Sequence, residues 1–287
     1  MAEGSNNSAA SVRQRLLNLS REQGRIFEVV LVTYGLERLI YRLSISEFRD
    51  RFILKGGILV TFWIEDENRV TRDAEFLGHG DASEDHLKSV FASILSLEAD
   101  DGLVYDIDGL SAETTRDAQE YGGIRLKTSA YLGKTRIPIT VDIGFGDMLT
   151  ERDYTIDFPS LLNMPTARIR AYPPATVVAE KFQAIVALGF ANSRMKDFYD
   201  LWAILNTQSI GTRELDVAMR ATFDRRRTDI PKTLPIGLSR EFVTDDQKSR
   251  QWAAYTESIG LESLSLDTVV ESIWSSAGPS CERLNRT

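Results

Sequence analysis

Apolar residues recur at three- and four-residue spacing through "EVVLVTYGLERLIYRLS", which predicts helix from about Ser11 to Ser46. "FILK" then has the composition of a short buried strand, and Gly56 and Gly57 break the apolar run before "ILVTFWIED". That last stretch is rich in β-formers. We nevertheless read it as helix, because a strand that ends in Gly-Gly and feeds a helix is a recurrent phosphate-binding device. "RVTRDAEFLG" reads as the second strand, closed by Gly78 and Gly80. "ASEDHLKSVFASILSLEA" is predicted helical, with Ser83 at its N-cap and acidic residues in its first turn. "GIRLKTSAYL" and "IPITVDIGF", joined by "GKTR", carry the signature of a hairpin. From "PPATVVAEKFQAIVALG" onward the pattern is helical, with a break at "DIPKTLPIG". The predicted order is a helical lead with a mixed α/β half, residues 1–165, and a helical half, residues 166–287.

Composition adds bounds. With 287 residues, 43% hydrophobic and 26% charged, the chain can bury a real core in a globular fold. No apolar run is expected to reach the roughly 18 residues of a membrane span; the longest candidate is "FQAIVALGFA" from Phe182. "MAEGSNNSAASVRQR" lacks the apolar core of a secretory signal and reads as a disordered lead-in. The single cysteine, Cys281, excludes internal disulfides and zinc sites built on several cysteines, so a reducing cytoplasm is expected. The net charge of −8 argues against a general nucleic-acid coat protein. Local arginine clusters remain, above all Arg225, Arg226 and Arg227 in "FDRRRTDIPK".

Four features carry candidate chemistry. Side chains alternate along a strand, so Asp73 and Glu75 share one face of "TRDAEFL". Adjacent carboxylates repel unless a cation lies between them, and hard divalent ions bind through one or two carboxylates plus substrate phosphates. Such a pair alone is more often the exposed face of an edge strand. In "IPITVDIGFGD" the residues Ile137, Ile139, Val141 and Ile143 point inward, which leaves Asp142 on the other face beside Thr140; Asp147 reads as a turn residue. On a helical wheel Lys181 falls inside an apolar arc with Glu180 and Gln183 on the far side, so it either snorkels or lines a cleft. In "RMKDFYDLW" the wheel sets Asp197 near the buried flank and Asp200 further out. A carboxylate there needs a partner such as Arg194, Lys196 or Lys181, whether for packing or for function.

In that order, "LKGGILVTFWIEDENRVTRDAEFL", "VDIGFGD", "AEKFQAIVALG" and "RMKDFYDLW" resemble the AbiEii/AbiGii family of nucleotidyltransferase toxins, over about Arg51 to Trp202. The resemblance implies an α+β fold: a polymerase-β-type nucleotidyltransferase core, with a mixed sheet flanked by helices, and a helical C-terminal half that completes the cleft. Gly56 and Gly57 stand where the family's glycine-rich turn opens a helix toward nucleotide phosphates. Asp73 and Glu75 stand at its D-x-[DE] metal pair and Asp142 at a third acidic position. Lys181 and either Asp197 or Asp200 match the later lysine and aspartate motifs, the wheel favouring Asp197. Many relatives follow the glycines with Ser or Thr; here Ile58 does, which puts nucleotide affinity in question more than fold.

What the resemblance implies further is the toxin half of a type IV toxin–antitoxin pair. Such a protein would use Mg²⁺ or Mn²⁺ and an NTP substrate, and would transfer a nucleotide to RNA, in the best understood members to the tRNA 3′ end. Its partner would be a winged-helix AbiEi-type antitoxin; no membrane partner is expected. Metal would sit on Asp73, Glu75 and Asp142. Amides at Gly57 and Ile58, with Lys181, Arg72, Arg194 and the Asp200 position, would serve the nucleotide. Asp197 would orient Lys181, and Arg225, Arg226 and Arg227 would meet the RNA backbone. Two rivals stand beside this reading. One is a nucleotide-binding or interaction protein that keeps the fold without turnover. The other is a different metal enzyme, against which count the two histidines, His79 and His86, and the lack of a kinase HRD loop.

Overall fold

The computed structural model describes residues 7–64, 69–115, 123–146 and 154–286. Two compact units result, one within residues 1–62, 70–146 and 153–171, the other within 63–69, 147–152 and 172–287.

In the first unit, α1 (Ala9–Glu22) and α2 (Phe27–Ile45) replace one continuous helix. Gly24, at φ +65, ends the first of them in a left-handed conformation that glycine adopts without a Cβ penalty. The Ser8 hydroxyl accepts from the Ser11 amide, so the lead-in is helical from Ala9 rather than disordered; residues 1–6 lie outside the described residues. Strand β1 (Phe52–Lys55) passes through Gly56 into α3 (Gly57–Ile64), as the glycine pair predicts. There follow β2 (Ala74–Gly78), α4 (Glu84–Leu95), β3 (Leu103–Tyr105), β4 (Ser111–Thr114), β5 (Gly123–Leu132), β6 (Thr135–Phe145), β7 (Thr155–Phe158) and β8 (Ala167–Arg170). Strand β2 begins five residues later than its sequence pattern suggests. The sequence does not reveal β3, β4, β7 and β8, which are three or four residues long and too short to display alternation; "ARIR" is β8.

The main sheet has six strands in the order β1-β2-β6-β5-β3, with β4 also on β5. Among the described strand pairs of this sheet, β2 and β6 run parallel and the others are antiparallel. Strands β7 and β8 form a separate ribbon. The β5–β6 hairpin closes with Gly133 at φ +61 and pairs Leu132 with Thr135. One face of β6 presents Ile137, Ile139, Val141 and Ile143, all buried, against α2. That approach is close: a Cβ on Gly35 would sit 2.7 Å from Ile139 Cδ1. Each fully buried aliphatic chain contributes about 1.5–3 kcal/mol, so this face fixes the register and sends Asp142 to the other side.

The second unit is helical in every described element: α5 (Pro174–Leu188), α6 (Met195–Thr207), α7 (Thr212–Arg225), α8 (Arg240–Thr244), α9 (Asp246–Ser258) and α10 (Leu266–Arg286). Phe182 of α5 meets Phe223 of α7 at 5.9 Å between ring centres, and Phe198 of α6 stacks on Phe242 of α8 at 5.4 Å. Residues 174–191 are long and apolar enough to cross a membrane by length and composition, contrary to expectation. In the folded unit, Val177, Val178, Phe182 and Ile185 of this stretch are core residues.

Candidate active site

On the face of the sheet opposite α2, strand register lines up a row of charges. Lys55 lies opposite Glu75, Glu75 opposite Asp142, Asp142 opposite Arg125, and Arg125 opposite Glu113. Directly opposed residues point to the same side of a sheet. The parallel pairing of β2 with β6 therefore brings Glu75 and Asp142 together, as their alternation suggests. Asp73 lies in the bend just before β2, where its carboxylate accepts from Thr71 Oγ1 at 2.6 Å.

The like charges in this row do not stand alone. Arg125 donates through Nε to Asp142 Oδ1 at 2.7 Å and through Nη2 to Oδ2 at 2.6 Å. These hydrogen bonds outweigh the cost of burial and, with the attraction of Asp142 and Asp73, raise the Arg125 pKa above its ordinary value. Sequence reading missed Arg125 and Lys55. A signal for the first was present: a two-residue turn at Gly133–Lys134 puts Arg125 opposite Asp142 by counting back along the hairpin.

The glycine pair and the carboxylates prove to be parts of one arrangement. Glu75 Oε1 accepts the Gly57 amide proton at 3.1 Å, so an acidic side chain satisfies the first free amide of α3. Gly56 stands at φ +73, and a Cβ there would overlap the Glu75 carboxylate. The Ile58 side chain is only 4% exposed, so at most its backbone amide could meet a phosphate. Arg72 is exposed to solvent, and Asp147 lies outside the described residues.

A divalent ion at this site would meet the side chains of Asp73, Glu75 and Asp142 as donors. All are carboxylate oxygens, the ligand class of Mg²⁺ and Mn²⁺. Among the described residues no three acidic, histidine or cysteine groups converge to cage an ion unaided. Each oxygen of Asp142 already accepts from Arg125, whereas among the described residues Asp73 accepts from Thr71 through Oδ1 and Glu75 from the Gly57 amide through Oε1, which leaves each a second oxygen. Asp73 and Glu75 therefore fit an ion that is completed by substrate phosphates.

The second unit holds a buried charge network. Lys181 Nζ lies 2.7 Å from Asp197 Oδ1 and 2.7 Å from Asp200 Oδ2. Arg69 donates to Asp200 through Nε at 2.7 Å and through Nη2 at 2.8 Å, and Arg194 Nε lies 2.6 Å from Asp197 Oδ2. Three cations thus surround two carboxylates. Both carboxylates are 0% exposed, which corrects the wheel's placement of Asp200 further out. Burial opposes the ammonium of Lys181, but Asp200 and Asp197 overcome it and lift Lys181 to about 12. Burial likewise works against the Asp200 anion, yet Lys181 and Arg69 hold it below the ordinary carboxylate range. Lys181 is not a lone cation lining a wall; it is the central tie between α5 and α6.

Arg69 was not anticipated, because it precedes its partner by 131 residues and sits in a charged, turn-like stretch. Gln183, placed toward solvent by the wheel, is buried and bonds Thr228 and Arg226. Among the three consecutive arginines, Arg226 also pairs with Glu180 at 3.2 Å and Arg225 is half-buried, while Arg227 is exposed at φ +49.

A family model described as "Nucleotidyl transferase AbiEii toxin, Type IV TA system" matches residues 38–272. No curated protein matches the sequence. Among solved structures, the crystal structure of JHP933 from Helicobacter pylori aligns with TM-score 0.50 at 14% identity, over 89% of this chain and 94% of that one. A putative nucleotidyltransferase from H. pylori aligns with TM-score 0.48 at 15% identity, over 88% and 94%. The first of these likenesses speaks for the fold alone.

Proposed function

The chain belongs to the AbiEii family of nucleotidyltransferase toxins of type IV toxin–antitoxin systems, and from that premise we propose that it transfers a nucleoside monophosphate from an NTP to the 3′ hydroxyl of an RNA, tRNA being the first acceptor to test. The observation that supports this most is the register of Glu75 against Asp142, which gathers acidic groups on one face beside a glycine-opened helix.

In the proposed step the acceptor oxygen bonds to the α-phosphorus while the bond from that phosphorus to the bridging oxygen breaks, and pyrophosphate leaves with the electron pair. The hydroxyl proton passes to solvent. Such transfers depend mainly on positioning and charge neutralisation. When bound, a divalent ion would neutralise phosphate charge and polarise the reacting oxygens. Asp73 and Glu75 would hold it. Ile58 would offer its amide at the start of α3, while the Gly57 amide is held by Glu75, whose carboxylate Gly56 lets come close to the backbone.

The family implies an antitoxin partner; a winged-helix AbiEi-type protein and a cytoplasmic setting belong to the same proposal. A second reading, nucleotide binding without transfer, draws on Ile58, whose buried side chain offers no hydroxyl to phosphate. Incubation with a divalent ion, each labelled NTP in turn and deacylated tRNA, beside Asp73→Ala, separates them. Label on RNA with wild type alone supports transfer. Tight NTP binding without label on RNA supports the second reading, and release of inorganic phosphate instead would replace both with hydrolysis.

A further inference from the structure

Arg125 has no role in the reading just given, yet it occupies the middle of the charged row. Asp142 is bound along one edge of its guanidinium, each carboxylate oxygen accepting one N–H. A guanidinium carries five N–H donors in a rigid fork, so this bidentate grip uses two and fixes the plane of the rest. Among the described residues Nη1 has no hydrogen-bond partner, and the side chain is 39% exposed. The pair lies in the β5–β6 ladder, the longest in the sheet, so its backbone positions are set by register rather than by a loop. A fork held this way has already lost its rotamer freedom and presents its second edge to an oxyanion at little further entropic cost.

Charge points the same way. Asp73, Glu75, Asp142 and Glu113 face three cations, Lys55, Arg125 and Lys127, on and beside the same strands. One divalent ion is enough to turn that excess of negative charge positive, which is what a triphosphate needs. A second ion on Asp142 would share a carboxylate whose two oxygens each already accept a guanidinium N–H, with the Arg125 charge beside it.

We propose that Arg125 is a phosphate-binding residue of this site and Asp142 its positioning carboxylate, so that the site takes a single divalent ion on Asp73 and Glu75. This rests on the nucleotidyl-transfer reading above.

The test counts ions on the full chain. Mn²⁺ is titrated by electron paramagnetic resonance in the presence of an NTP analogue with a methylene bridge between the α- and β-phosphates. Wild type is expected to take one Mn²⁺ per chain, a measurement that needs no variant, and two would overturn the proposal. Asp142→Asn is expected to keep that count and Asp73→Ala to lose it; loss of an ion in Asp142→Asn overturns the proposal. Inorganic tripolyphosphate, titrated in the presence of Mn²⁺ by calorimetry, should bind roughly ten- to hundredfold more weakly to Arg125→Met, given the strength of charged hydrogen bonds. Unchanged binding would overturn the proposal. Thermal melts confirm that each variant is folded. Failure of the underlying reading would look different: wild type would bind neither Mn²⁺ nor the analogue.

Discussion

Gly56 and Glu75 are fitted to one another. The glycine holds φ +73, and the space its missing side chain leaves is filled by the Glu75 carboxylate, which accepts the next amide along the chain. Gly56→Ala should therefore carry two penalties: about 1–2 kcal/mol for an L-residue in the left-handed region, and the displacement of Glu75 from the Gly57 amide. The second penalty vanishes if Glu75 is truncated first. In a double-mutant cycle, Gly56→Ala with Glu75→Ala should be less destabilised, in urea melts, than the sum of the single variants. Strict additivity would mean that the two residues do not compete for the same space.

Ile58 can be tested by size and polarity. Its side chain is in the core of the first unit, so Ile58→Val should cost about 0.5–1.5 kcal/mol and Ile58→Ser about 2–5 kcal/mol, as for other truncations of buried isoleucine. Calorimetry should show no gain in NTP affinity for Ile58→Ser. A tenfold gain would show that the hydroxyl reaches phosphate and that the side chain can leave the core.

These two residues also show what the sequence can reveal. The Gly-Gly break before α3 was legible because it punctuates an apolar run, and Asp142 was legible because four alternating isoleucine and valine positions left it on the other face. What faces what was harder. That Glu75 would rest on the Gly57 amide depends on the antiparallel register of β1 with β2, and no short turn encodes it. The partners of Lys181 were among those the sequence offered, but Arg69 was out of reach: nothing local ties it to Asp200. Strands of three or four residues, such as β3 and β7, are fixed by the neighbours they pair with, and their own sequences carry no period.

Arg226 and Arg227, adjacent in sequence, should separate when mutated. Arg226 ties Glu180 and Gln183 together within the second unit, so Arg226→Ala should lower stability by about 1–2 kcal/mol. Arg227 is exposed, and Arg227→Glu should leave stability within about 0.5 kcal/mol of wild type. If the segment contacts an RNA backbone, Arg227→Glu should also reduce the salt dependence of tRNA binding. Filter binding at several salt concentrations checks this; an unchanged slope removes Arg227 from the RNA surface.

The charge network around Lys181 makes a prediction with a defined pH window. Asp200 is held below its ordinary range in the folded state, so it binds protons less readily there than in the unfolded chain. Its contribution is present above the unfolded carboxylate value of about 3.9 and is lost as pH falls through the lower folded value. Lys181, lifted to about 12, behaves in the opposite sense: its contribution is complete below the unfolded lysine value of about 10.4 and is lost only as pH rises through about 12. Between roughly pH 5 and pH 10 the network should therefore give a flat stability profile. Asp200→Asn leaves Arg69 and Lys181 without one of their anions and should cost about 3–5 kcal/mol near neutrality, the usual loss for a broken buried pair. That deficit should shrink as pH falls below about 4, because the unfolded wild-type chain then takes up a proton that folded Asp200 resists. Urea melts of both proteins near pH 7 and near pH 3 decide the matter; an equal deficit at both would mean that Asp200 titrates alike in the folded and unfolded chains and that the network does not hold it low.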